Sequence, residues 1–241
     1  MFYILLGILL IFVIYNLFIK LKVLSYFKNG SVIVFGKKGS GKDVLFNYVT
    51  NNSREYYSNI QYTKKPLRLI QLNELTIGSN DFEKLINNNV EKIDACFKDN
   101  VDVFISDAGA HLPSQMDAYL HKKYKGMPLY YAMSRHLYKQ NIHCNTQALE
   151  RLWKSLREQA DTYIKCLGFK KGFIISKLKI RIYDKYSTAL NDIRPLKRNI
   201  LKTETGNVHL SNTGEIKEYT LYMLTSKIKY DTRYFKKIFI K

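Results

Sequence analysis

The sequence has no Cys-x-x-Cys pair, and its three cysteines (Cys96, Cys144 and Cys166) lie far apart. An odd count without metal-type spacing excludes a cysteine metal site and a disulfide framework, so the soluble part is expected to face a reducing cytosol. His111, His121, His136 and His143 add no metal-ligand spacing with Cys or acidic residues. There is no internal repeat and no long Pro/Gly/Ser linker. Acidic residues are scarce: 20 Asp and Glu stand against 39 Lys and Arg, a formal net charge of +19. That imbalance favours a polyanionic partner such as nucleic acid, nucleotide or an anionic membrane surface. A coding bias that inflates Lys, Asn, Ile and Tyr together is the alternative source. With 46% hydrophobic and 24% charged residues, disordered and fibrous classes are excluded, and 241 residues allow one large domain with or without an appendage.

One apolar run is long enough to matter. Phe2 to Ile19 contains no charge, and a helix of that length spans about 27 Å, just enough for a bilayer's hydrocarbon core. Lys20, Lys22 and Lys28 follow at once. The positive-inside rule then puts everything after position 20 in the cytoplasm and a very short N-terminus outside. A cleaved signal peptide is disfavoured because neither a basic n-region nor a small-residue cleavage site is present. The expected organisation is a signal-anchor helix at 1–20, a nucleotide-binding core at 31–168 and a β-rich extension at 169–241, with a join of about ten residues between span and core.

The chemistry starts after that join. Ser31-Val-Ile-Val-Phe35 reads as a buried strand. It leads into Gly36-Lys37-Lys38-Gly39-Ser40-Gly41-Lys42-Asp43, the G-x-x-x-x-G-K phosphate-binding loop. Gly36, Gly39 and Gly41 permit positive φ, so successive backbone N–H groups can face phosphate oxygens. Val44 to Val49 reads as the helix whose positive end completes the cradle. Lys42 is placed to reach the β- and γ-phosphates of ATP. Position 43, where Ser or Thr ordinarily ligates Mg2+, holds Asp43. A carboxylate is a competent hard ligand for Mg2+, but it brings negative charge close to the phosphates, which Lys37 and Lys38 can offset.

Val101-Asp-Val-Phe-Ile-Ser-Asp107 has the form of a Walker B strand, with Asp107 as second Mg2+ ligand. Ala108 follows where a catalytic Glu is usual. Residues 65–72 read as a strand, 81–97 as a helix, 128–139 as a helix opening on Pro128, 141–147 as a strand, and 148–160 as a helix. The order predicts an α/β fold: a P-loop NTPase with a mostly parallel sheet flanked by helices, nucleotide at the strands' C-terminal ends. Gln147 ends its strand beside Asp107 and can orient water or sense a γ-phosphate, or is an ordinary strand-end amide.

The loop, the Asp107 strand and the ordered set Ser134-Arg135-His136, Asn145-Thr146-Gln147 and Arg157 resemble the zonular occludens toxin-like family, filamentous-phage morphogenesis ATPases related to the septal DNA translocases. The resemblance covers roughly residues 31 to 168. It implies a membrane-bound homo-oligomeric ATPase that loads single-stranded DNA into a virion and extrudes it through the inner membrane, with phage coat proteins as partners. It also makes Arg135 and Arg157 the arginine-finger candidates, a solvated helix face being the alternative for either. Asp43 and Ala108 depart from the pattern, and so does the apolar span, which precedes the core instead of following it.

Beyond Thr162 the texture changes to alternating apolar and basic residues with a Lys-Lys-Gly turn, which predicts an antiparallel hairpin. Lys177, Lys179 and Arg181 share one face, either to track a DNA backbone or to protect a sheet edge. Tyr230, Tyr234 and Phe235 among basic residues could stack on bases or fill core. Three classes of function follow: a phage-assembly DNA motor, a conjugation or packaging motor, and a non-hydrolysing nucleotide-binding membrane scaffold.

Overall fold

The structure, a computed structural model, describes residues 2–53, 55–72, 75, 98–123, 126–193 and 215–228. The helix expected at 81–97, the polar stretch 203–214 and the aromatic residues Tyr230, Tyr234 and Phe235 lie outside the described residues.

The chain opens with helix α1 (Phe2–Asn29), followed by β1 (Val32–Phe35), α2 (Lys42–Asn52), β2 (Tyr56–Ser58), β3 (Arg68–Leu69) and β4 (Asp102–Ile105). Short helices α3 (Ala108–His111) and α4 (Asp117–Lys123) precede α5 (Met127–Tyr138) and β5 (Ile142–Thr146). After α6 (Lys154–Arg157) come β6 (Thr162–Lys170), β7 (Ile175–Tyr183), α7 (Tyr186–Ile193) and β8 (Ile216–Leu224). The strands form one eight-stranded sheet in the order β3-β2-β4-β5-β1-β6-β7-β8. Pairing is parallel from β3 to β6 and antiparallel through β6, β7 and β8. This is the mostly parallel α/β sheet with an antiparallel C-terminal part that the element order predicts.

β1 sits near the centre because all four of its residues are apolar and can be buried on both faces, as a parallel strand between two neighbours requires. Its alternation feeds two cores. Ile33 and Phe35 face a layer with Trp153, Tyr131 and Leu112. Val32 and Val34 face α1 and α2, with Phe46, Phe104 and Ile180. β6 joins the sheet directly beside β1, pairing parallel with β1 and antiparallel with β7, with a register shift between Cys166 and Gly168.

Three expected elements differ. The join after position 20 is instead the last turns of α1, a single helix to Asn29. The reason is packing: Ile19, Val23 and Phe27 repeat at the helical four-residue interval and are buried against the sheet, each worth about 1.5–3 kcal/mol. Asn16 adds a polar clasp. Its side-chain amide donates to the Tyr222 carbonyl and accepts from the Tyr222 N–H, both at 3.2 Å, pairing backbone groups of edge strand β8. The helix expected over 148–160 is broken. Trp153 is fully buried, its backbone N–H bonds the Leu112 carbonyl at 2.8 Å, and its indole N–H reaches Asp117 at 2.5 Å, so the segment divides into a 3-10 turn at Leu149–Arg151 and an α-helical turn at Lys154–Arg157. The strand expected at 65–72 shortens to Arg68–Leu69.

β5 carries two polar residues on the α1/α2 face. His143 is fully buried between Phe27 and Phe104, and its Nδ1 accepts the Val32 N–H at 3.2 Å. Burial pushes this imidazole down to about 3, so it is neutral in the folded chain while an unfolded histidine takes up its proton near 6.5. Its contribution is therefore intact above the unfolded value and is lost as pH falls toward 3, at about 1.4 kcal/mol per pH unit. The variant His143→Gln, whose amide oxygen can still accept from Val32, should flatten the fall in thermal stability between about pH 6 and 4 by close to one proton's worth. Unfolding curves of equal slope for the two proteins would show that His143 is charged in the fold.

Candidate nucleotide site

β1, β5 and β4 are adjacent and parallel, so their C-terminal ends open on the same side of the sheet. Phe35 is level with Thr146, and Ile105 with Cys144. The next residues along each strand are the phosphate loop, the end of β5 and the pair Ser106-Asp107.

The loop has the shape its glycines allow. Gly36, Gly39 and Gly41 take φ values of 149°, 76° and 97°. At Gly41 a side chain is excluded twice, by the left-handed backbone and by space: a Cβ would lie 2.6 Å from Leu178 and 2.8 Å from Phe169. At Gly36 it would lie 2.5 Å from the Cys166 carbonyl and 2.7 Å from Ser40 Oγ. β6 and β7 thus form the floor on which the loop rests. Lys37, Lys38 and Gly39 are exposed at its crest, while Ser40 and Lys42 are buried. The Lys42 ammonium donates to the carbonyls of Gly36 (3.0 Å) and Lys37 (3.2 Å), so it already stands inside the loop. Ser40 Oγ is buried without a hydrogen-bond partner, a polar atom left over for an incoming oxygen.

Asp43 and Asp107 approach this loop from two elements. Asp43 lies in the first turn of α2. Its Oδ1 accepts from Asn145 Nδ2 at 2.9 Å and from Ser106 Oγ at 3.3 Å. Asp107 adopts the left-handed conformation, φ 48°, between β4 and α3, a region that Asp enters more readily than most residues. Its backbone N–H donates to Asn145 Oδ1 at 2.8 Å. Burial raises the Asp43 carboxyl above its ordinary value, and the nearby Asp107 charge raises it further against the opposing pull of Asn145, Lys42 and Ser106. A buried carboxyl raised by a neighbouring carboxylate is relieved by a cation placed beside it. Among the described residues no cluster of three or more His, Cys, Asp or Glu forms. Mg2+ needs no such cluster, because one or two carboxylates plus phosphate oxygens and water complete its shell. The donor set therefore fits Mg2+, and the glycine cradle with its orphaned Ser40 hydroxyl fits a phosphate chain.

The remaining candidates scatter. Gln147 is exposed just past β5, two residues beyond Asn145. Arg157 donates to the Glu150 carbonyl at 2.9 Å and lies over the Tyr186 ring. Arg135 is exposed and pairs with Asp161 at 3.2 Å. Asp161 accepts from the Ser31 N–H at the start of β1, so Arg135 stands at the opposite end of the sheet from the loop. His136 beside it is exposed, and His121 packs edge-on to Trp153. Of the basic hairpin face, Arg181 is engaged by Asp192 and Glu218. Two residues of the site escaped the sequence pattern: Asn145, fully buried, and Ser106, 1% exposed. The pattern held one signal for Asn145, an amide in the interior of a strand whose residues are all buried.

No family model and no curated protein matches the sequence. Among solved structures, the chain is similar to the N-terminal domain of zonular occludens toxin from Neisseria meningitidis (12% identity, 86% of this chain and 97% of that one, TM-score 0.40). It is also similar to the genome packaging NTPase B204 of Sulfolobus turreted icosahedral virus 2. The complex of B204 with sulfate gives 17% identity, 66% and 93% coverage and a TM-score of 0.40; the complex with AMP gives 20%, 60% and 77%, and 0.37. At these identities and scores, the reading of the site stands on this chain's own strand order and loop.

Because Asp43 must be ionised to ligate a cation, the affinity for a Mg2+–nucleotide should fall as pH is lowered through its raised value, earlier than an ordinary carboxylate would allow. Asp43→Ser should abolish that acid limb while keeping measurable binding. Calorimetric titration with a non-hydrolysable ATP analogue across pH checks this, and an unchanged acid limb in the variant would assign it to another group.

Proposed function

We propose that the chain is a membrane-anchored P-loop ATPase that moves single-stranded DNA during phage assembly. The observation that carries the nucleotide part is the convergence of the loop at 36–43, Asp43, Asp107 and Asn145 on one end of the sheet. Lys42, already inside the loop, is placed to neutralise charge on the terminal phosphates. Asp43 and Asp107 would hold Mg2+, which would offset charge developing on the phosphates. Asn145 ties the Asp43 carboxylate to the backbone of Asp107. Gln147 at the end of β5 is the residue assigned to water or γ-phosphate. Arg135 and Arg157 are assigned, if either acts, across a boundary between copies of the chain, since Arg135 lies away from its own loop.

The membrane part is supported by α1. The helix Tyr3–Asn29 is long and apolar enough to cross a bilayer, and its most apolar eighteen-residue window is almost wholly unburied, while Ile19, Val23 and Phe27 pack on the sheet. Placed there, with Lys20, Lys22 and Lys28 on the cytoplasmic side, the helix holds the ATPase against the inner membrane. The DNA cargo is supported by the net charge of +19 and by the family resemblance of residues 31 to 168; coat proteins and a homo-oligomeric ring belong to the same reading. A conjugation or packaging motor would share the site and differ in cargo alone. Ala108, fully buried where a general base is usual, favours one further reading, a nucleotide-binding scaffold that does not hydrolyse.

Phosphate release by the detergent-purified full chain decides between motor and scaffold. The motor reading expects ATP hydrolysis that single-stranded DNA stimulates and that Lys42→Ala lowers on the order of 100-fold or more. Bound nucleotide with no hydrolysis, with or without DNA, would leave the scaffold.

A further inference from the structure

The turn between β6 and β7 exposes apolar side chains that the sheet has no use for. Phe173 is 98% exposed, Ile174 65% and Ile175 52%; Leu224, paired with Ile175 on β8, is 49% exposed. Together they form one apolar tip, flanked by the exposed Lys170 and Lys171. The tip is built to hold its shape. Gly172 N–H donates to Ser176 Oγ, Ser176 and Thr225 share a hydroxyl contact at 2.9 Å, and Thr225 Oγ1 donates back to the Gly172 carbonyl at 2.8 Å. The Thr225 N–H closes on the Ile174 carbonyl at 2.9 Å. A Cβ on Gly172 would strike the Ile175 carbonyl. The turn is thus braced by a network that keeps Phe173 pointing outward.

Its position relative to α1 is set by register. α1 climbs the sheet from the start of β5, where Phe27 meets His143, to Tyr222, which Asn16 clasps and the Phe12 ring touches at 5.2 Å. Tyr222 is level with Lys177, and Lys177 with Lys170. The hairpin tip begins immediately past that level, and the uncovered turns of α1 continue past it in the same sense. An apolar helix and an apolar tip with basic flanks therefore leave the domain at the same end.

We propose that this tip is a second contact with the bilayer that α1 enters, with Phe173 and Ile174 in the boundary between headgroups and acyl chains and with Lys170 and Lys171 on anionic headgroups. The proposal rests on the membrane reading of α1. Lipid is the occupant because the tip leaves the domain at the same end as the uncovered apolar turns of α1 and because an aromatic residue beside lysines suits an anionic interface. Two contacts, a helix and a braced hairpin, would fix the domain's rotation as well as its height. Next to the tip stand the paired Phe169 and Leu178, the residues against Gly41, so the loop would be held at a constant attitude to the membrane.

Tryptophan reporters in the full chain, reconstituted in vesicles with shallow brominated lipids, test this. Phe173→Trp marks the tip and Leu10→Trp marks α1, each read above the buried native Trp153. The expected result is loss of emission from both reporters, with the loss at the tip greater when phosphatidylglycerol replaces part of the phosphatidylcholine. Quenching of the Leu10→Trp reporter alone would overturn the tip contact and leave the anchor standing; a blue-shifted but unquenched tip would mean a protein occupant and overturn it equally. A tip loss that phosphatidylglycerol does not enlarge would overturn the role of the two lysines. If neither reporter is quenched, the membrane reading of α1 fails and takes the proposal with it.

Discussion

One buried amide ties this molecule's chemistry together. Asn145 projects from β5, the strand lying between the loop strand and the Asp107 strand. Its oxygen faces the Asp107 N–H, which can only donate, so its nitrogen must face Asp43. The orientation is therefore forced by its partners. That amide joins the Asp43 carboxylate to the backbone of Asp107, two residues carried on separate elements, α2 and the end of β4. Ser106 completes the link by donating to Asp43 while its own backbone is clasped by Asn59 from the next strand. Parallel pairing of β1, β5 and β4 is the condition for all of it, because only parallel strands bring three C-terminal ends to one side.

The same sheet joins the apolar N-terminal helix to the candidate site through one core. α1 does not end where its charge-free stretch ends. Its last turns form part of the core that buries Phe46 of α2 and Phe104 of β4. On the other side of the loop, β6 and β7 support Gly36 and Gly41 through backbone and side-chain contact. The loop thus rests on strands whose other residues share a core with α1.

Much of this was legible in the sequence, for physical reasons that also mark where legibility stops. Glycine at 36, 39 and 41 announces positive φ, and an apolar strand ending in Asp107 announces an acid at a sheet end. The alternation over 162–183 announces a hairpin. Asn145 was harder to see, because an amide inside a strand has no function until its partners from other elements are known. The extension of α1 was hidden by Lys20 and Lys22, which interrupt the apolar run in sequence while leaving the Ile19, Val23 and Phe27 stripe intact. The broken helix near Trp153 was set by tertiary contacts to Leu112 and Asp117 that local propensity does not contain. β2 was too short to have a pattern, and its Tyr56 and Tyr57 are strand residues through burial between neighbours.

The central claim is that Asp43 and Asp107 serve one cation at the mouth of the glycine loop. Mn2+ binding in the presence of a non-hydrolysable ATP analogue, followed by electron paramagnetic resonance for the wild type, Asp43→Asn, Asp107→Asn and the double variant, tests it most directly. Two ligands of one ion should be strongly non-additive: each single variant should lose most of the nucleotide-dependent Mn2+ affinity, and the double variant little more. Losses that simply add, or a full complement of Mn2+ in either single variant, would contradict it.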